Sequence, residues 1–181
     1  MFRRTDCHFH DEGYSRSEEN YTDEMHDLIS GKHGRVYLDA SRPRVCIKGR
    51  EESNSEDIGY RLLDDEEIFP FYELRSAAVD MRGIPRQFYD PAELTKRIEA
   101  QLNTLIQRGI QHVVLSAFGC GAFGNDPTMV AEIYRRALWQ HRADFSVVVF
   151  AIYHAGHGKD NFRIFHEILI RAKEGAARAS V

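Results

Sequence analysis

Apolar positions divide this chain into two textures. From about residue 68 onward, unbroken apolar runs of strand length alternate with segments whose apolar residues recur every three or four positions. Residues 71–79 form the first strand candidate, and a loop carrying Gly83 comes next. Residues 91–108 predict an amphipathic helix, because Leu94, Ile98, Leu102 and Leu105 share one face and Gly109 stops it. Residues 113–117 read as a buried strand, 127–140 as a second helix and 147–152 as another fully apolar strand. A last helix is expected over 161–173, with Phe162, Phe165 and Leu169 inside.

Residues 1–67 are polar and irregular by comparison. A helix is expected over 12–29, where Tyr21, Met25, Leu28 and Ile29 have roughly helical spacing. Residues 36–38 and 45–48 read as short strands with turn chemistry at 41–43 between them, and 51–57 as an exposed acidic loop. The expected organisation is a polar N-terminal portion (1–67) of the same domain, an α/β core (68–175) and a tail (176–181).

Continuous apolar strands alternating with helices predict a mostly parallel sheet covered on both faces. Ligands of such sheets sit beyond the carboxyl ends of the strands. The segments after the strands at 113–117 and 147–152 both fall at that edge. The first of them is the glycine-rich stretch Phe-Gly-Cys-Gly-Ala-Phe-Gly-Asn-Asp-Pro, residues 118–127. Gly119, Gly121 and Gly124 permit positive φ and close backbone approach, and Pro127 suits the first turn of a helix. A helix start behind such a loop would aim bare N–H groups and a positive dipole end at one small volume, which favours a phosphate or diphosphate.

Composition narrows the function classes. With 181 residues and 43% apolar content the chain can bury a real core. A net charge of −4 without a basic stripe does not indicate direct DNA or other nucleic-acid binding. Apolar runs of strand length do not predict a membrane span. The three cysteines, Cys7, Cys46 and Cys120, are widely spaced and odd in number, which predicts reduced thiols and a cytoplasmic or nuclear setting.

The pattern Leu-Ser-Ala-Phe-Gly-Cys-Gly-Ala-Phe-Gly-Asn-Asp-Pro (115–127), with Val130-Ala131, Val148-Val149-Phe150-Ala151-Ile152, Asn161-Phe162 and Phe165, resembles the microbial-type poly(ADP-ribose) glycohydrolase family. Arg44-Val45-Cys46-Ile47, Gly59-Tyr60-Arg61-Leu62-Leu63 and Arg75-Ser76-Ala77-Ala78 extend the resemblance more weakly, so that it covers about residues 40–170. It implies a three-layer α/β/α macro-domain-like fold with a mixed sheet, its N-terminal strands missing or altered. It also implies ADP-ribose, free or on ADP-ribosylated proteins, as the ligand. The ligand residues it implies are Gly119, Cys120, Gly121, Ala122, Phe123, Gly124 and Asn125 for the diphosphate, with Asn161 and Phe162 closing over the adenine-side ribose. No cofactor is implied.

The family's catalytic signature, a triple glycine and then Gln-Glu-Glu, does not occur in these residues. Phe2-Arg3-Arg4-Thr5 resembles the family's stretch just after the paired glutamates, so the expectation is a fragment or a late start, with true loss of the acid as the alternative. Glycosidic hydrolysis needs a carboxylic acid to protonate the leaving group. The pairs Glu18–Glu19, Glu51–Glu52 and Glu66–Glu67 lack flanking glycines and read as solvated clusters, with Glu18–Glu19 the candidate substitute. No catalytic residue is assigned. The function expected is therefore ADP-ribose binding with weak or no hydrolysis. The alternatives are a non-catalytic reader or a generic nucleotide-binding α/β protein.

The remaining candidates are read more plainly. Cys120 could be a nucleophile at a helix start, but the reading preferred is a small residue packed in the loop. Phe118 and Phe123 are candidates for ligand or core. His154 and His157 lack companions at zinc-ligand spacing, and Cys7-His8-Phe9-His10 is short and terminal, so no metal is assigned. Arg82 reads as a solvated loop residue rather than a phosphate partner. A dinucleotide-binding fingerprint fits poorly, since Asp144 precedes a strand instead of ending one.

Overall fold

The computed structural model describes Thr5 and residues 22–51, 59–85, 88–154, 156 and 158–178. The chain divides into two compact units, one from Met1–Asp27 and Tyr37–Arg75, the other from Leu28–Val36 and Ser76–Val181.

In the first unit, β1 (Tyr37–Cys46) pairs antiparallel with β4 (Phe69–Arg75), Tyr37 opposite Arg75 and Cys46 opposite Phe69. The turn expected at 41–43 forms locally without reversing the chain. The Asp39 carboxylate accepts from the Ser41 amide at 3.0 Å, the Ser41 hydroxyl at 2.7 Å and the Arg42 amide at 3.2 Å. The result is a register shift between Asp39 and Arg44 inside one ten-residue strand, in place of two short strands around a turn. A second antiparallel pair joins β2 (Lys48–Glu51) to β3 (Tyr60–Leu62). Arg44 and Glu73 are buried, and Glu73 accepts from Arg44 Nε at 3.4 Å and from Arg75 Nε at 2.9 Å, so the charges are taken out of water together.

The helix expected over 12–29 is described as α1 (Asp23–Ile29), opened by the Thr22 hydroxyl accepting from the Met25 amide at 3.3 Å. Residues 12–21 lie outside the described residues, as do Cys7-His8-Phe9-His10 and Glu18–Glu19.

The second unit holds α2 (Pro91–Gln107), β5 (His112–Leu115), α3 (Pro127–Gln140), β6 (Val147–Phe150) and α4 (Asn161–Arg178). Helix α2 starts where the Asp90 carboxylate accepts from the Ala92 amide at 2.8 Å, and beyond Arg108 the chain turns at Gly109 with φ +66°. Its predicted face is buried: Leu94, Ile98, Leu102 and Leu105. They join Leu115, Phe118, Val130, Ile133, Tyr134 and Phe165 in the core. Two polar side chains buried there are paired, since Tyr134 donates its hydroxyl proton to Gln101 Oε1 at 2.7 Å and Gln101 Nε2 donates to Ser76 Oγ at 3.1 Å.

Strands β5 and β6 are parallel in register, Val113 opposite Val148 and Leu115 opposite Phe150. Among the described residues this is where parallel pairing occurs, and the other two pairs are antiparallel. Val113, Leu115, Val148 and Phe150 face the core, but Val114 is 69% exposed, and Val147 and Val149 are 47% and 46% exposed. Strands expected to be buried on both faces are thus covered on one. Phe162, expected inside, is 51% exposed at the start of α4, whereas Phe165 one turn later is buried. The strand expected over 71–79 ends its ladder at Arg75.

Candidate functional site

The segment from Ala117 to Asp126 leaves β5 and delivers the chain to α3. Asn125 holds it in shape. Only 2% exposed, Asn125 donates through Nδ2 to the carbonyls of Val79 at 2.7 Å and Gly119 at 3.1 Å, and its own amide returns to Gly119 O at 3.0 Å. Gly119 has φ +70°, and a Cβ placed there would lie 2.5 Å from Ala78 Cβ and collide with the Asn125 side chain. This glycine is required both by its backbone and by its surroundings. Gly124 also has positive φ, +68°, and its amide donates to Gly121 O at 3.1 Å. Phe123 O accepts from the Met81 amide at 2.8 Å, which ties the loop to the segment after β4.

Within this rigid frame the amides of Gly121, Ala122 and Phe123 have no acceptor among the described residues. Gly121 and Ala122 are exposed, and a Cβ on Gly121 would meet nothing within 4 Å. Three successive donors without an acceptor on a braced loop are groups an anion can use.

The start of α3 behaves differently from the expectation. Its first-turn amides are already occupied: Asp126 Oδ1 accepts from Thr128 N at 2.9 Å and Met129 N at 3.3 Å. A negatively charged cap stabilises the helix end and satisfies the donors that an anion would have used. The loop amides, not the helix terminus, are the ones left open.

Beside the loop lies a small open cleft of about 180 Å³, lined by Met81, Ile84, Tyr89, Gly124, Asp126, Met129 and Lys159. Met81, Ile84 and Met129 give it thioether and aliphatic walls, and Tyr89, Asp126 and Lys159 bring polar groups to it. The Tyr89 hydroxyl is buried without a hydrogen-bond partner among the described residues. Burial, then the negative charge of Asp126, pushes its pKa up to about 12, so it stays a neutral donor. Lys159 Nζ stands 3.8 Å from Asp126 Oδ2 and links the segment after β6 to the start of α3.

Cys120 sits half-buried in the loop, its thiol directed to Phe118 O at 3.6 Å. Burial, reinforced by Asp126, pushes its pKa up to about 12, which removes the thiolate a nucleophile needs. The packed-residue reading is the one the surroundings favour. Phe118 is a core residue. Phe123 is half-buried, with the Arg82 guanidinium 5.5 Å from its ring centre. Arg82 is the solvated loop residue expected, its side chain 64% exposed; it pairs with Asp80, whose carboxylate it holds at a pKa of about 2, and its guanidinium lies against the ring of Phe123.

Asn161 opens α4, its amide donating to Lys159 O at 3.0 Å and its Oδ1 buried without a partner among the described residues. Lys159, two residues before Asn161, is the residue of this turn that lines the cleft with Gly124. Asp144 pairs with His141 at 3.1 Å in the turn after α3, away from a ribose-binding role. Glu67 is an exposed partner of Arg61 at 2.7 Å, in keeping with a solvated cluster. His157 and Glu52 lie outside the described residues. No helix among the described residues is long and apolar enough to cross a membrane.

Asp126, Tyr89, Met81, Ile84, Met129 and Lys159 are site residues that the sequence pattern does not single out. Asp126 has a legible signal, an Asp immediately before a proline that begins a helix. The others come together through tertiary structure and have no local pattern.

No family model and no curated protein matches this chain. Solved structures do. Poly(ADP-ribose) glycohydrolase from Deinococcus radiodurans in complex with ADP-ribose is similar at a TM-score of 0.61 and 24% identity, over 80% of this chain and 58% of that one. The glycohydrolase from Thermomonospora curvata is similar at a TM-score of 0.54 and 27% identity, over 70% and 46%. The Thermomonospora curvata enzyme bound to the inhibitor ADP-HPD gives 0.53 and 27%, over 69% and 48%. The chain thus spans about half the length of these enzymes. The likeness bears out the resemblance read from residues 115–127 at the level of the fold, which is α/β and macro-domain-like, of the microbial poly(ADP-ribose) glycohydrolase kind.

Proposed function

We propose that this chain is an ADP-ribose-binding domain related to the poly(ADP-ribose) glycohydrolases, with the ligand's diphosphate on the loop of residues 119–125. One observation carries the reading: the consecutive amides of Gly121, Ala122 and Phe123 are open on a loop braced by Asn125 and Gly119. The similarity to enzymes solved with ADP-ribose and with ADP-HPD supports the choice of ligand. Asn161 and Phe162, which follow the cleft residue Lys159 at the start of α4, close over the adenine-side ribose in this reading. ADP-ribosylated proteins are the partners in this reading, and the setting is cytoplasmic or nuclear.

Binding does not carry hydrolysis with it. A retaining or inverting mechanism uses two carboxyl groups held about 5–9.5 Å apart. The carboxylate at the cleft, Asp126, is committed to capping α3 and faces Lys159. The 181 residues bind ADP-ribose and turn over poly(ADP-ribose) far more slowly than the two glycohydrolases they resemble. Calorimetric titration with ADP-ribose, with ADP as control, tests the first statement. Selective micromolar binding is expected, and a folded sample that takes up neither ligand refutes the reading. Release of ADP-ribose at a rate equal to that of the Thermomonospora curvata enzyme would refute the second statement.

A further inference from the structure

Charges around the glycine loop are unbalanced for the ligand proposed above. A diphosphate adds negative charge next to Asp126, whose carboxylate is fixed at the start of α3 by two amide hydrogen bonds. Asp80 is held by Arg82, and that guanidinium lies against the ring of Phe123. Among the residues that line the cleft, Lys159 is the one with a positive charge. Its side chain is 62% exposed, and its ammonium stands 3.8 Å from Asp126, a separation longer than a charge-assisted hydrogen bond.

We propose that Lys159 is the diphosphate-binding cation of this site, releasing Asp126 to contact the diphosphate on the amides of residues 121–123. The inference rests on the ADP-ribose reading and adds a residue to it. Three features meet at Lys159. It lines the same cleft as Gly124, which ends the run of open amides. Its flexible stem reaches from the turn before α4, so the ammonium can follow the ligand while its backbone stays fixed by the Asn161 amide. Its field is felt inside the loop, since it pulls the Cys120 thiol in the direction opposite to Asp126. Swapping Asp126 for the ligand also ties the Lys159–Asn161 turn to occupancy of the loop.

The test is calorimetry on the full chain with ADP-ribose across a series of salt concentrations, using Lys159→Met and Lys159→Arg. At low salt, Lys159→Met is expected to weaken binding about tenfold and to flatten its salt dependence, while Lys159→Arg restores both. Wild-type affinity and salt dependence in Lys159→Met would overturn the proposal and leave the ADP-ribose reading standing. If the wild-type chain takes no ADP-ribose, both fall. The double variant Lys159→Met with Asp126→Asn separates contact from screening. Measured against Asp126→Asn alone, a persistent tenfold loss in the double variant supports direct contact, and equal affinity of the two overturns it, because Lys159 would then act only by neutralising Asp126.

Discussion

Gly121 to Phe123 and Thr128 to Met129 are two sets of backbone donors a few residues apart, and they meet different fates. The helix amides at Thr128 and Met129 are closed by the Asp126 carboxylate. The loop amides at 121–123 are open, in a backbone held by Asn125. Both sets are the kind of group that binds anions, so residue type does not separate them. The difference lies in which set brings its own acceptor. A helix start with an Asp cap is a stability device, whereas a braced loop without an internal acceptor is available for binding.

The largest effect is expected where the brace is broken. Gly119→Val forces a β-branched residue into φ +70° and drives its Cβ into Ala78 and Asn125. The strained backbone and the overpacking together cost about 3 kcal/mol, and the open amides lose their alignment. Urea unfolding should show the loss, and ADP-ribose binding should vanish. Next comes Asn125→Ala. It strips the donor from the Val79 and Gly119 carbonyls and should cost about 2 kcal/mol, with binding weakened at least tenfold. A variant that unfolds at the wild-type urea concentration would mean the brace is not Asn125.

Gly121→Ala separates ligand from fold. A Cβ there meets nothing within 4 Å, so stability should stay within about 0.5 kcal/mol of wild type. The methyl group would stand exposed beside the open amides, and if the loop seats the diphosphate, affinity for ADP-ribose should fall severalfold. Equal effects of Gly119→Val and Gly121→Ala on stability would erase the distinction between bracing and binding glycines.

Helix α3 begins and ends where the periodicity and Asp-Pro place it, β6 falls within its apolar run, and β5 overlaps its own, starting one residue early at His112 and ending at Leu115. The glycine loop is legible for the same reason, since positive φ at Gly119 and Gly124 leaves a compositional mark. The features hidden from the sequence depend on partners distant along the chain. Val114, Val147 and Val149 read as buried because apolar character states what a strand can bury, not which of its faces is covered. The 41–43 turn chemistry is real, but pairing of β1 with β4 on both sides of it turns a reversal into a bulge. The same limit hides the cleft, whose residues come from four separate stretches of chain. The helix start promises open amides only while its own cap is ignored, because Asp126 consumes the donors it caps.

Asp126→Asn keeps a side chain able to cap, and Asp126→Ala does not, so the alanine variant should lose about 1 kcal/mol more stability. If the loop seats the anion, the two variants bind ADP-ribose with the same affinity, because both simply remove the negative charge. If the helix terminus seats it, the alanine variant, with its first-turn amides bared, binds more tightly than the asparagine one. Matched titrations of the two variants decide between the seats.

The smallest effect concerns pH. The Cys120 thiol has its pKa raised by burial to about 12, against 9.0 for a free group. Between those values the unfolded chain releases the proton while the folded chain keeps it. Stability from this group is therefore full below pH 9 and is lost as pH rises through about 12. Cys120→Ala should make the alkaline decline in melting temperature shallower above about pH 9, with no difference at about pH 7. In the wild-type chain the thiol should react slowly with iodoacetamide at about pH 8. Fast alkylation there would mean that the loop opens Cys120 to solvent, and a loop that opens so readily could not hold the amides of residues 121–123 in place for an anion.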